Sequence, residues 1–110
     1  MHKTNTEEQT LQLDALELRK AALVYRAVNH PLRQQMLKLL HQNKRMIVTD
    51  VYVKLRLEQS VASQHLAILR KAGFVSTERD GKKIYYSVNH QRLKQAHQKA
   101  VEFSNTPAAS

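Results

Sequence analysis

A chain of 110 residues is long enough for one domain and too short for two, and its 42% hydrophobic content is ordinary for a folded protein. It contains no cysteine, which excludes disulfides, thiolate metal sites and thiol redox sensing. Lysine and arginine number 18 against 9 acidic residues, a net charge of +9, and such a surplus on a small domain attracts polyanions.

The charge is uneven. Glu7, Glu8, Asp14 and Glu17 lie in the first 18 residues, where Lys3 is the only basic residue; from Arg19 onward 17 basic residues stand against 5 acidic ones. Only two glycines and two prolines occur, and the abundance of Leu, Ala, Lys and Gln favours a mainly helical fold. No apolar run approaches a membrane span, and the opening MHKTNTEEQT lacks the apolar centre of a secretory signal. A cytoplasmic protein without a membrane partner is expected.

Residues 1–9 are polar and predict a disordered tail; 10–104 would form the folded domain and 105–110 a second tail. From Leu11 the pattern turns helical. Leu11, Ala15, Leu18, Ala22 and Tyr25 recur at alternating four- and three-residue steps, and Leu13, Leu16, Leu23 and Val24 widen the stripe. A stripe that wide suits two partners, the protein's own core and a second subunit.

Asn29-His30-Pro31 ends this helix and starts the next, with Asn29 or His30 as the cap. The second helix is predicted over 31–41, with Leu32, Met36, Leu39 and Leu40 inward and Arg33 and Lys38 outward. Met46-Ile47-Val48 can form a short strand. Thr49 then resembles an N-cap for a third helix over 50–56, in which Val51 and Leu55 face inward. After a turn at Leu57-Glu58-Gln59, a fourth helix is predicted over 60–72. Ala62, Leu66 and Leu69 share its buried face, and Gly73 ends it.

The period then changes from helix to strand. Phe74–Arg79, the pair Asp80-Gly81, and Lys82–Val88 read as a β-hairpin. That turn sets Thr77 opposite Ile84 and Val75 opposite Tyr86, and puts Val75, Thr77, Ile84, Tyr86 and Val88 on one face. Asn89 or His90 starts a last helix striped by Leu93, Ala96, His97, Ala100 and Val101.

Two short helices joined by a tight turn and followed by a basic hairpin form the informative arrangement. A helix fits the major groove of DNA, and an adjoining hairpin reaches the backbone or minor groove. On the second helix of the pair, Gln59, Ser60, Ser63 and Gln64 are polar and uncharged, where an ordinary solvated face carries Glu–Lys pairs. Glutamine can bond adenine at two points, and serine can bond bases or phosphates. At the hairpin tip Arg79, Lys82 and Lys83 suit phosphate contact; a charged edge that deters aggregation would carry the same residues.

These segments together resemble the ArsR/SmtB family of bacterial winged helix-turn-helix regulators, over about residues 24–88. The resemblance is carried by Asn29-His30-Pro31-Leu32-Arg33 at the start of the second helix, and by Gln59-Ser60, Ser63-Gln64-His65-Leu66 and Leu69-Arg70 on the recognition helix. Ala72-Gly73-Phe74-Val75 and Gly81-Lys82 through Tyr85-Tyr86-Ser87 carry it over the wing. It implies a mainly α fold with a β-hairpin wing, ordered α-α-α-α-β-β-α, that dimerises through its first and last helices. It implies a repressor that binds a double-stranded DNA operator and is released by a signal. Leu11, Leu16, Leu93, His97, Ala100 and Val101 are the candidate dimer contacts.

Glu58 replaces the family's usual serine before the Gln-Ser pair and caps less well. Ile47-Val48-Thr49 stands where metal-sensing members carry a Cys-Val-Cys run, and neither Ile nor Thr is a soft ligand. Where other members hold zinc on the last helix, the matching positions are His90, Arg92, Phe103 and Thr106, a set that cannot bind it as the family does. No metal or other cofactor is therefore expected, and the signal would be a non-thiol one. His90 and His97 are about 10 Å apart on one helix, too far to share an ion except across a dimer. His65 reads as a local hydrogen-bonding residue or a DNA contact. No catalytic motif occurs, so no enzyme activity is expected. The remaining alternatives are a winged helix that binds RNA or protein, and a metal sensor with an atypical histidine site.

Overall fold

In the computed structural model the backbone is described for residues 2–105 and the side chains for residues 15–99. The order is α1 (His2–Val28), α2 (Pro31–Asn43), β1 (Met46–Ile47), α3 (Val48–Lys54), α4 (Gln59–Lys71), β2 (Val75–Asp80), β3 (Lys83–Val88) and α5 (His90–Asn105). The expected mainly α fold with a hairpin wing is present. Helix α1 takes in residues 2–9, set apart by their polarity as a tail. The second tail lies, from residue 106, outside the described residues.

The core is where α2, α3 and α4 turn their apolar faces together. Phe74, Met36, Leu40, Leu66, Leu69 and Val51 are fully buried, and Ala27, Met46, Ala62 and Val75 complete the cluster. Val24 and Val28 of α1, Tyr86 and Val88 of β3, and Leu93 and Ala96 of α5 pack against it. Each large side chain so buried contributes about 1.5–3 kcal/mol relative to exposure.

Local chemistry explains most boundaries. His30 caps α2: its Nδ1 accepts from the Leu32 amide at 3.1 Å, and Pro31 occupies the first turn, where a missing N–H costs nothing. Asn89 caps α5, its Oδ1 accepting from the Arg92 amide at 3.2 Å. Gly73 leaves α4 with φ +85°, a left-handed exit that a side chain would strain.

Three local expectations are corrected. Helix α3 begins at Val48, directly after β1, so Thr49 lies inside the first turn and caps nothing; Ile47 holds the cap position without a side-chain bond. The turn between the paired helices spans 55–58, with Arg56 left-handed at φ 55°. The wing turn is Gly81-Lys82, closed by the pair Asp80–Lys83, with Thr77 opposite Tyr86 and Val75 opposite Val88. Gly81 takes φ +66° in the first central position, as a type II′ hairpin turn requires. The slip is two residues, so each side chain keeps its face. It sets Ile84 opposite Arg79, on the same face but next to the turn and beyond the core, where it is 49% exposed. Strand β1 pairs with β3, Met46 with Tyr86 and Ile47 with Tyr85, giving a three-stranded sheet in the order β1-β3-β2.

The largest departure from expectation is Arg33. Its charge suggested an outward position, yet only 8% of it is exposed. Its Nε donates to the Ala27 carbonyl at 2.6 Å and its Nη2 to the Arg26 carbonyl at 3.0 Å. Those carbonyls belong to the last turn of α1, which has no intrahelical partner for them and carries the negative end of the helix dipole. Arg33 therefore closes α1 from the side.

Arg33→Ala should lower the unfolding free energy by about 2–3 kcal/mol, because it removes charge-assisted hydrogen bonds and strands buried carbonyls. Arg33→Lys should recover only part of this, since an ammonium cannot reproduce the planar fork. Urea unfolding of both variants measures the difference; equal stability of Arg33→Ala and the parent would refute the closing role.

Candidate nucleic-acid interface

Helix α4 is fixed from behind and open in front. Ala62, Leu66 and Leu69 are fully buried, while Gln59, Ser60, Ser63 and Gln64 are all exposed. Glu58 holds the cap position and makes no capping bond with its side chain, so the start of α4 depends on its packed face rather than on a side-chain cap.

Behind the exposed face stands a polar cluster that sequence reasoning did not assemble. The third arm of Arg33, Nη1, lies 3.1 Å from His65 Nδ1 on α4. Arginine only donates, so His65 Nδ1 accepts and the neutral ring carries its proton on Nε2. The His30 ring lies 4.8 Å from that of His65. One guanidinium thus joins the end of α1, the first turn of α2 and the middle of α4. His65 has the local hydrogen-bonding role expected of it. Burial, then the neighbouring His30 and Arg33, lower its pKa below the ordinary histidine value.

The wing adjoins α4 directly: Ala72-Gly73-Phe74 links α4 to β2, and the Phe74 amide donates to the Leu69 carbonyl at 2.9 Å. Arg79, Lys82 and Lys83 are exposed around the tip, and Arg79 Nε donates to the Gly81 carbonyl at 3.3 Å. Along the hairpin's side, the Arg45 guanidinium sits 4.1 Å from the centre of the Tyr85 ring and 3.5 Å from the Asp80 carboxylate beside the turn. No signal in the sequence linked Arg45 to the wing, because the contact needs the β1–β3 pairing.

The expected dimer contacts divide. Leu16 is 43% exposed on α1, in company with Leu18, Leu23 and Tyr25, and His97 is exposed on α5. Leu93 instead packs, half-buried, on the protomer's own core. The side chains of Leu11, Ala100 and Val101 lie outside the described residues. Helices α1 and α5 run side by side, with Lys99 Nζ 3.9 Å from Glu17. His90 does not approach His97 within hydrogen-bonding range; it pairs with His41.

Residues 30–77 match the family described as "Bacterial regulatory protein, arsR family". A helix-turn-helix transcriptional regulator of Methanocaldococcus jannaschii is 37% identical over 76 residues, covering 69% of this chain and 85% of that protein. The chain belongs to the arsR family. The transcriptional repressor PagR of Bacillus anthracis is 30% identical over 82 residues, covering 74% of this chain and 82% of PagR. The crystal structure of NolR from Sinorhizobium fredii superposes with a TM-score of 0.68 at 32% identity, over 86% of this chain and 93% of NolR. In this arsR-family chain α3 and α4 are therefore the helix-turn-helix pair, α4 is the recognition helix, and β2–β3 is the wing.

Because the folded state holds His65 neutral, its contribution to stability is complete above the ordinary histidine pKa. It is lost as pH falls through the lowered one. Protonation would turn Nδ1 into a donor facing the Arg33 guanidinium. The melting temperature should therefore drop more between about pH 7 and about pH 5 in the parent than in His65→Gln, whose side-chain oxygen can still accept from Arg33. Parallel pH dependences would show that His65 titrates without consequence.

Proposed function

We propose that this arsR-family regulator is a homodimeric, sequence-specific repressor that binds a double-stranded DNA operator and is released by a signal not read through thiols. The observation that carries the reading is the outer face of α4. Gln59, Ser60, Ser63 and Gln64 present short, uncharged hydrogen-bonding groups on a helix whose other face is locked into the core. Such a face suits base edges, which are read by hydrogen bonds rather than by charge. Beside it, Arg79, Lys82 and Lys83 suit phosphates, which fix register without reading sequence. Repression is the activity named for PagR. The absence of cysteine from the sequence supports a non-thiol signal, and the cytoplasm, where the operator would be, is the expected compartment. No helix among the described residues is long and apolar enough to cross a membrane.

A second subunit is argued from α1. Leu16 and Leu23 are exposed on one face of it, and on another Leu18 and Tyr25, 51% and 60% exposed, form an apolar strip on a small domain with little else to cover it. A twofold arrangement would bury that strip against its copy, beside the exposed face of α5 that carries His97.

Sedimentation at micromolar concentration should give twice the 12.7 kDa chain mass; a strict monomer would count against the dimer. Gln64→Ala should cost about 1–3 kcal/mol on the preferred operator and much less on random duplex. Lys82→Ala should weaken both, and should lower the slope of log affinity against log salt by about 1 for each phosphate no longer neutralised. Isotherms at several salt concentrations, with duplex RNA as competitor, measure this. Stronger binding to the RNA, or an equal effect of Gln64→Ala on both DNAs, would reject the groove-reading assignment. A reporter fused to the operator tests the sign of control: deletion of the regulator should raise expression.

A further inference from the structure

His41 and His90 are 49 residues apart in the chain and meet at the surface, in the last turn of α2 and the first turn of α5. His41 Nδ1 lies 2.8 Å from His90 Nε2, with the rings at 70° and their centres 5.0 Å apart. Both side chains are exposed. Neither belongs to the recognition helix, the wing or the Arg33 cluster. A hydrogen bond between two neutral imidazoles in open water adds little to stability, because water competes for both. The more informative property of the pair is that one nitrogen of each ring faces the other across 2.8 Å at the open surface.

That proximity suits an ion. A metal about 2.0–2.1 Å from two imidazole nitrogens, at a right or tetrahedral angle, holds them about 2.9–3.4 Å apart. From 2.8 Å the nitrogens need to part by a few tenths of an ångström, and the exposed rings to swing until both lone pairs face the ion. We propose that His41 and His90 of one chain together bind a single borderline divalent transition ion of the Ni²⁺, Cu²⁺ or Zn²⁺ class, with water at the remaining positions. His41 binds through Nδ1 and carries its proton on Nε2; His90 binds through Nε2 and carries its proton on Nδ1. Solvent exchanges the tautomers, so an initially neutral pair releases no net proton.

The surroundings select the ion. The end of α2 favours a cation and the start of α5 opposes one, while the net charge of +9 opposes any. Hard ions such as Mg²⁺ depend on oxygen donors and anionic charge and gain nothing here. Imidazole-seeking ions do not depend on them. Among the described residues no group of three His, Cys, Asp or Glu side chains could hold a metal. The site therefore has two protein donors, and its occupant exchanges readily. This departs from the expectation of a metal-free chain and from a His90–His97 site across the dimer: both donors come from one protomer, and the ion staples α5 to the end of α2.

The test uses the untagged, full chain in a non-chelating buffer, titrated with NiCl₂ and ZnCl₂ by calorimetry and by NMR of the histidine rings, with MgCl₂ for comparison. One Ni²⁺ per chain should bind saturably, moving the ring resonances of His41 and His90. Saturation should be abolished in His41→Gln and in His90→Gln, retained in His97→Gln, and weakened by acidification, because the ion needs unprotonated imidazole. Both substituted positions are exposed, and unchanged circular dichroism would confirm folding. Failure to saturate overturns the proposal. So does binding that survives either substitution, binding abolished by His97→Gln, or ring shifts confined to other histidines.

Discussion

The rest of the structure depends on how one buried guanidinium is satisfied. Arg33 is charged and nearly removed from solvent, a costly state unless its donors are used. Its three arms reach two carbonyls at the end of α1 and the imidazole of His65 on α4. The first two contacts fix where α1 ends and the angle at which α2 leaves it. The third carries that constraint to the recognition helix. The apolar core accounts for compactness, but apolar contacts are not directional. The guanidinium fork is directional, and it sets α4 relative to the helix that carries the exposed apolar strip.

The sequence made the architecture legible through periodicity. The buried face of α4 at Ala62, Leu66 and Leu69, the punctuation at Asn29-His30-Pro31, and the change of period at Phe74 each follow from spacing and residue type. Arg33 was misplaced because residue type outweighed spacing: it stands three and seven positions before Met36 and Leu40, on the same buried face. The wing register was missed for a different reason. Turns at Asp80-Gly81 and at Gly81-Lys82 differ by two residues in pairing, and alternation is blind to a shift of two. The start of α3 was set by pairing of β1 with β3, a contact between residues about forty positions apart that overrides a local capping signal.

The candidate groove-facing residues were legible because their chemistry is unusual for a solvated helix, and the structure leaves all four exposed. The groups that support them were not. His65 and Arg33 are separated by 32 residues, and His41 and His90 by 49. Such pairs depend on tertiary geometry and leave no period behind. The dimer contacts fall between these cases. An apolar stripe shows that a helix has something to cover, but it does not divide the stripe between the protomer's own core and a partner, as Leu93 illustrates.

The short strand β1 has a mechanical consequence. It pairs with β3 only at Tyr85 and Tyr86, so the root of the wing is gripped on one side by β2 and on the other by β1. The segment from Arg79 to Ile84 has a single hydrogen-bonded neighbour, and two-stranded ribbons are weakly held on their own. Beyond β1 the hairpin is therefore held by the β2–β3 pairing and by Arg45, whose guanidinium spans Tyr85 and Asp80. A load on the Gly81-Lys82 turn would be carried back toward β1 through that guanidinium as well as along the ribbon.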